Sequence, residues 1–180
     1  MRRITLLLLI ITTISFSQTF KTDNPVNDEI VVSVDTISKV VLYQRMNEWI
    51  QKNYTSPKDV IKASIKDNMI RFTGISDDIA NWTIEKGQLK GTYFYGAKYT
   101  IEINFKENKY KLNYKLENLI YNNTPVNYLL TIGFGKSEKY KKRYKLDEFK
   151  IKLNKGLVNN KNKIALSIYN YLIGNIKDDW

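Results

Sequence analysis

Neither cysteine nor histidine occurs anywhere in the 180 residues. The first absence excludes disulfides, thiolate nucleophiles, thiolate-bound metals and the lipid-bearing cysteine of bacterial lipoproteins. The second removes the commonest metal ligand and general base. Any chemistry must therefore rest on Asp, Glu, Lys, Ser, Thr or Tyr, or on an oxygen-ligated Ca²⁺ site. No stretch has the spacing of a calcium loop, of a phosphate-binding glycine loop or of a nucleophile motif, and Ser38-Lys39 and Ser137 near Lys139 lack any such context. The expectation is a protein that is not an enzyme, with no catalytic residue, no cofactor and no metal. Arginine is scarce too, five of the 29 basic residues, so the bidentate fork that reads phosphate is little used. The lysine excess comes with abundant Asn, Ile and Tyr, the bias an AT-rich genome imposes, so the net charge of +11 does not by itself name a polyanionic partner.

Long apolar runs are also missing. Ile4 to Ile14, after the basic Met1-Arg2-Arg3, falls short of the roughly 18 to 20 residues of a membrane span, and Ser15-Phe16-Ser17 before Gln18 has the small-x-small form of a cleavage site. The expectation is a signal peptide over residues 1–17, cleaved near Ser17-Gln18. It implies an exported protein, periplasmic or secreted, with no transmembrane segment in the mature chain. Residues 18–28, polar and containing Pro25, read as a linker.

The strongest pattern present runs from Tyr99 to Leu116. Tyr99, Ile101, Ile103 and Phe105 alternate with polar residues, and after Glu107-Asn108 the alternation resumes with Tyr110, Leu112, Tyr114 and Leu116. A two-residue loop there pairs Phe105 with Tyr110, Ile103 with Leu112, Ile101 with Tyr114 and Tyr99 with Leu116, all on one face; Glu-Asn is a poor type I′ turn, so a four-residue loop stays open. Upstream, Glu29 to Val34 reads as a strand. Ser38 caps a helix from Lys39 to about Asn53 whose Leu42, Met46, Trp49 and Ile50 form one stripe. Val60–Lys66 and Met69–Ile75 form a second hairpin about Asp67-Asn68, with Ile65 opposite Ile70, Ala63 opposite Phe72 and Ile61 opposite Gly74. Ser76 to Ala97 reads as a long connection with at most one extra edge strand. Val126 to Phe134 is compatible with a strand or a loop folding back. Phe149, Ile151 and Leu153 alternate as in a short strand, and Asn159-Asn160 caps a C-terminal helix carrying Ile164, Ile168, Tyr171, Leu172 and Ile176.

Two clusters are candidate binding sites. Lys136 to Lys155 carries a net +6, and within it Lys139, Lys141, Lys142, Arg143 and Lys145 are interleaved with Tyr140 and Tyr144, offering charge for attraction and aromatic faces for stacking. Such a site predicts salt-sensitive retention on an anionic glycan; the competing explanation is a solvated surface. Trp82, Tyr93, Phe94 and Tyr95 are candidates for an aromatic groove, set against plain packing. Acidic groupings are few: Asp77-Asp78 near Asp67, and the pair Glu85 and Glu102. Opposite the apolar face of the Tyr99–Leu116 hairpin, Thr100, Glu102, Asn104, Lys111, Asn113 and Lys115 remain free to meet a partner.

The stretch VVSVDTISKVVLYQRMNEWIQKNYTSPKDVI, then GTYFYGAKYTIEINFKENKYKL, then the terminal Trp180, resembles the secreted Bacteroidota domain-of-unknown-function 4468 family, described as having a TBP-like fold. The resemblance covers roughly residues 29 to 121, and departs from the family in lacking the usual glycine in its Lys106–Tyr110 turn. It implies an α+β domain over 29–121, a curved antiparallel sheet in strand-helix-four strands-helix order with helices packed on one face. Residues 122–180 are then a basic extension and a C-terminal helix packing on the same domain. The resemblance brings no activity, and the fold name no DNA binding. The functional expectation is a binding or scaffolding module of the cell envelope, with an envelope protein or anionic glycan as partner and nucleic acid disfavoured by export. The alternatives are a structural partner that assembles through a sheet edge or apolar face, and an apolar-ligand carrier or a carboxylate-dependent hydrolase.

Overall fold

A computed structural model describes residues 23–86 and 89–174, so the expected signal peptide, residues 18–22 of the linker, Ile176 and Trp180 lie outside the described residues. The elements are β1 (Asn27–Ser33), α1 (Lys39–Asn53), α2 (Pro57–Val60), β2 (Ile61–Ile65), β3 (Met69–Lys86), β4 (Leu89–Lys106), β5 (Lys109–Tyr121), β6 (Thr124–Val126), α3 (Tyr128–Thr131), α4 (Glu138–Arg143) and α5 (Leu146–Leu172). The strands form one antiparallel sheet in the order β1-β5-β4-β3-β2, with β6 added beside the end of β5.

The β4–β5 hairpin has the register that its alternation specifies, Phe105 with Tyr110 through Tyr99 with Leu116 across the two-residue loop, with Asn108 supplying positive φ. Its apolar face is buried. Helix α1 starts where Ser38 accepts a hydrogen bond from the Val41 amide, and it buries Leu42, Met46, Trp49 and Ile50 as its stripe requires. One continuous core runs from Val32 to Leu172. The layer between sheet and helices is filled by large side chains, among them Phe72, Tyr110, Tyr114 and Phe149.

Four segments differ from expectation. The β2–β3 hairpin is slipped by one residue: Ile65 pairs with Met69 and Ser64 with Ile70, because the loop holds three residues, Lys66 to Asn68, with Asp67 at positive φ. Val60 ends the one-turn helix α2 and does not begin the strand. Residues 76–86 and 89–97 are no loose connection but the outer halves of two 18-residue strands, β3 and β4. A bulge between Ser76 and Ala80 interrupts the ladder and buries the consecutive residues Ile79 and Ala80, which is what erased the alternation. Finally, residues 149–153 are helical.

That helix is α5, 27 residues long and roughly 40 Å at 1.5 Å per residue. Leu146, Phe149, Leu153, Leu157, Lys161, Ala165, Ile168 and Leu172 are buried at steps of three and four, whereas Ile151 is 70% exposed. Asn159 and Asn160 lie in the middle of the helix and do not cap it; Asp147 and Glu148 supply the acidic first turn. Within the stripe, Lys161 donates to the Asn24 carbonyl oxygen and to the Asp28 carboxylate, and so ties down the residues expected to be linker. Gly156 lets α5 touch the bulge in β3, since a Cβ there would stand 2.0 Å from the Ile79 carbonyl oxygen. The run Val126 to Phe134 forms β6, α3 and a glycine-bounded turn.

Candidate functional site

The alternation that buries Ile101, Ile103 and Phe105 turns Thr100, Glu102, Asn104 and Lys106 to the opposite face, and the register sets them beside Lys115, Asn113, Lys111 and Lys109. To this face β1 adds Glu29 and Val31, opposite Asn113 and Lys111, and β3 adds Arg71 opposite Glu102. It is uncovered: Val31, Arg71, Lys106, Lys109 and Lys115 are all exposed. A shallow hollow of about 510 Å³ lies on it, lined by Val31, Glu102, Asn104, Lys106, Lys109, Lys111 and Asn113.

Glu102 is the hub of this surface. One carboxylate oxygen accepts from Asn104 Nδ2 at 3.0 Å and the other from Arg71 Nε at 2.8 Å and Nη2 at 2.5 Å. These partners, the Asn104 bond foremost and then Arg71, hold the carboxyl below its usual range. Lys111 reaches Glu29 at 3.3 Å. Lys106 and Lys109, paired directly across the end of the hairpin, have no ion-pair partner among the described residues. Two like charges opposite each other destabilise a ladder, and an anion placed between them would offset that repulsion.

The aromatic candidates are split by the strand they share. Trp82, Tyr93 and Tyr95 lie on the helix side, with Trp82 5.2 Å and Tyr95 5.0 Å from the Phe149 ring of α5, and with Tyr93 and Tyr95 against Tyr121. Phe94 projects from the other face, 58% exposed. The basic candidates sit on α4 and the turn after it. Tyr140 and Tyr144 pack on each other at 4.6 Å, Lys141 is paired with Glu138, and Lys139 and Lys142 are exposed.

Members of the two clusters nevertheless meet. Arg143, Tyr144 and Lys145 line a groove of about 360 Å³ with the strand residues Trp82 to Glu85, and the Trp82 indole nitrogen is buried there with no hydrogen-bond partner among the described residues. A third hollow follows the outer seam of α1 and α5 between Trp49 and Tyr171. The acidic candidates are dispersed. Glu85 pairs with Lys90, whose hydrogen bond lowers its pKa, at the far end of the β3–β4 ladder from Glu102. Asp77 and Asp78 occupy the bulge and Asp67 the β2–β3 loop. Among the described residues no three acidic side chains gather as a metal site would need.

The model of one family, the domain of unknown function DUF4468 with TBP-like fold, matches residues 29–122. A DUF4468 family protein from Bacteroides ovatus has a similar structure at 13% identity, with a TM-score of 0.58, covering 91% of this chain and 95% of that one. A TBP-like protein from Parabacteroides distasonis is similar at 14% identity and a TM-score of 0.51, covering 84% of this chain and 96% of that one. No curated protein matches this chain.

Proposed function

This chain belongs to the DUF4468 family, domains of unknown function with a TBP-like fold, and from that premise we propose a role read from its own surface: an exported, non-catalytic module of the cell envelope that binds an anionic partner across the uncovered face of its sheet. The observation that carries this reading is the unneutralised pair Lys106 and Lys109 at the rim of the hollow around Glu102. The hollow offers further donors from Asn113 and Lys111, and the Arg71–Glu102–Asn104 network presets their surroundings. An acidic glycan or an acidic protein segment has the matching chemistry. Export rests on the Arg2-Arg3 and Ile4–Ile14 pattern of the sequence.

The test is a titration of the protein with uronic-acid oligosaccharides and acidic peptides, against the variant Lys106→Glu/Lys109→Glu. Binding that weakens with salt in the natural protein and falls roughly tenfold or more in the variant, at unchanged melting temperature, is expected. Equal binding by both proteins refutes the site. A second reading is assembly through the edge of β3, whose residues 73–86 extend past β2 and have β4 alone as strand partner among the described residues. Asp77 and Asp78 blunt that edge, and a monomer in solution would remove this reading.

A further inference from the structure

The corner formed by α3, α4 and the turn between them has a composition that neither the core nor the sheet face explains. Phe134 is 66% exposed and Leu130 62%, with Leu129 exposed beside them. These side chains are presented by an ordered turn. The Phe134 amide donates to the Leu129 carbonyl at 2.8 Å, the Gly133 amide to Leu130 at 3.2 Å, and the Lys136 amide to Gly133 at 3.0 Å. Gly133 and Gly135 flank Phe134 at φ of +82° and +75°, a conformation other residues adopt only under strain, so the turn is built to hold the ring outward. The same turn is seated on the basic helix: a Cβ at Gly133 would stand 2.5 Å from Leu146 Cδ1 and 3.6 Å from Lys141 Cγ. Next to the apolar tip come Lys136, whose ammonium lies over the exposed Tyr140 ring, then Lys139, Lys142, Arg143 and Lys145. Of the acids in this corner, Glu138 is committed to Lys141.

From this geometry we infer that the α3–α4 corner is a docking surface for an anionic phospholipid bilayer. Phe134 and Leu130 enter the acyl boundary, and the surrounding lysines and Arg143 meet the phosphates. A soluble polyanion would need the cations and would leave the outward apolar tip unused. A bilayer uses both, because apolar insertion supplies short-range affinity and the basic rim long-range attraction. The corner stands apart from the sheet face of the previous subsection, and the inference holds or fails independently of it.

The experiment is flotation of the purified chain with phosphatidylethanolamine vesicles made with and without phosphatidylglycerol, alongside binding to heparin. The expected result is flotation with the anionic vesicles alone. The variant Leu130→Ser/Phe134→Ser should lose roughly tenfold in partitioning per side chain while keeping its heparin binding. The variant Lys139→Gln/Lys142→Gln/Arg143→Gln should lose about fivefold per charge. Phe134→Trp supplies a reading that requires no loss of affinity: its emission should shift to the blue on adding anionic vesicles and stay unchanged with neutral ones. Heparin binding without flotation, flotation undiminished in Leu130→Ser/Phe134→Ser, or an unshifted Phe134→Trp emission would overturn the inference.

Discussion

Replacing Asp28 by alanine is the sharpest probe of how the interior is held together. Lys161 is 1% exposed; its ammonium donates to the Asn24 carbonyl oxygen at 2.8 Å and to an Asp28 carboxylate oxygen, and it stands 6.0 Å from the centre of the Tyr114 ring. Asp28 is the single full countercharge in that set. A contact pair at about 3 Å is worth roughly 5 kcal/mol at an effective dielectric of about 20. Truncating one partner of such a pair costs about 3–5 kcal/mol, because the surviving charge stays buried. The Asp28 side chain keeps 14% exposure, so water entering its place offsets part of that, and about 3 kcal/mol is the expected loss. For a chain of this size the melting temperature should fall by about 6–12 °C. Lys161→Met keeps the stem volume, removes the buried ammonium and leaves a carboxylate near water, so it should cost about 1 kcal/mol or less. Asp28→Ala/Lys161→Met should then recover most of the stability that Asp28→Ala loses. Thermal and urea unfolding of the three variants closes the cycle. A fall of less than about 2 °C in Asp28→Ala, or additive losses in the double variant, would refute a tight buried clamp.

Two further outcomes follow from the packing. Gly156→Ala gains about 1 kcal/mol in helix propensity, but its Cβ would stand 2.0 Å from the Ile79 backbone oxygen, so the helix must move off the bulge, and urea unfolding should show a net loss of about 1–3 kcal/mol; a stabilised variant would contradict the close approach. Burial raises the pKa of Tyr54, Tyr99, Tyr110 and Tyr114 above the ordinary value of 10.0. The fold favours their neutral forms, so the stability they contribute is complete below pH 10 and is lost as pH rises beyond it. A spectrophotometric titration should show these four ionising above pH 10 together with unfolding, and thirteen tyrosines titrating as one class near pH 10 with the fold intact would count against it.

What the sequence made legible, and what it did not, divides along one physical line. The Tyr99–Leu116 register and helix α1 were readable because each rests on a local period with a local stop: strict alternation around Glu107-Asn108, and an apolar stripe behind the Ser38 cap. The misread segments are those where a single extra residue or a distant partner decides. Asp67 at positive φ lengthens one loop and slips β2 by a residue; the bulge before Ala80 buries Ile79 and Ala80 in succession, breaks the alternation of β3 and hides two long strands. In α5 the alternation of Phe149, Ile151 and Leu153 imitates a strand, and only the continued steps through Leu157, Lys161 and Ala165 with Ile151 outward reveal the helix. For the candidate site, the polar face of the hairpin could be listed from alternation alone, since every second residue had to face away from the core. The sequence reading of that face stopped short of Lys106 and Lys109, whose pairing at the hairpin end the structure adds. The meeting of Trp82 with Arg143, Tyr144 and Lys145 joins segments some 60 residues apart, and no local pattern foretells it.

The place of β1 at the edge of the sheet also sets a timetable. β2 to β5 form a meander of sequence neighbours, each strand able to pair as soon as the next exists. β1 is made first yet pairs with β5, Val32 with Tyr110, about 80 residues further along, and it stays unclamped until Lys161 arrives. Loop closure over such a span is slow compared with hairpin formation, so β1 and α5 should lock in last, on a preformed meander. While the chain folds, the Ile30–Val32 strand therefore waits with its apolar face open. That interval, and not the finished fold, is when this chain is most exposed to mispairing with a second copy.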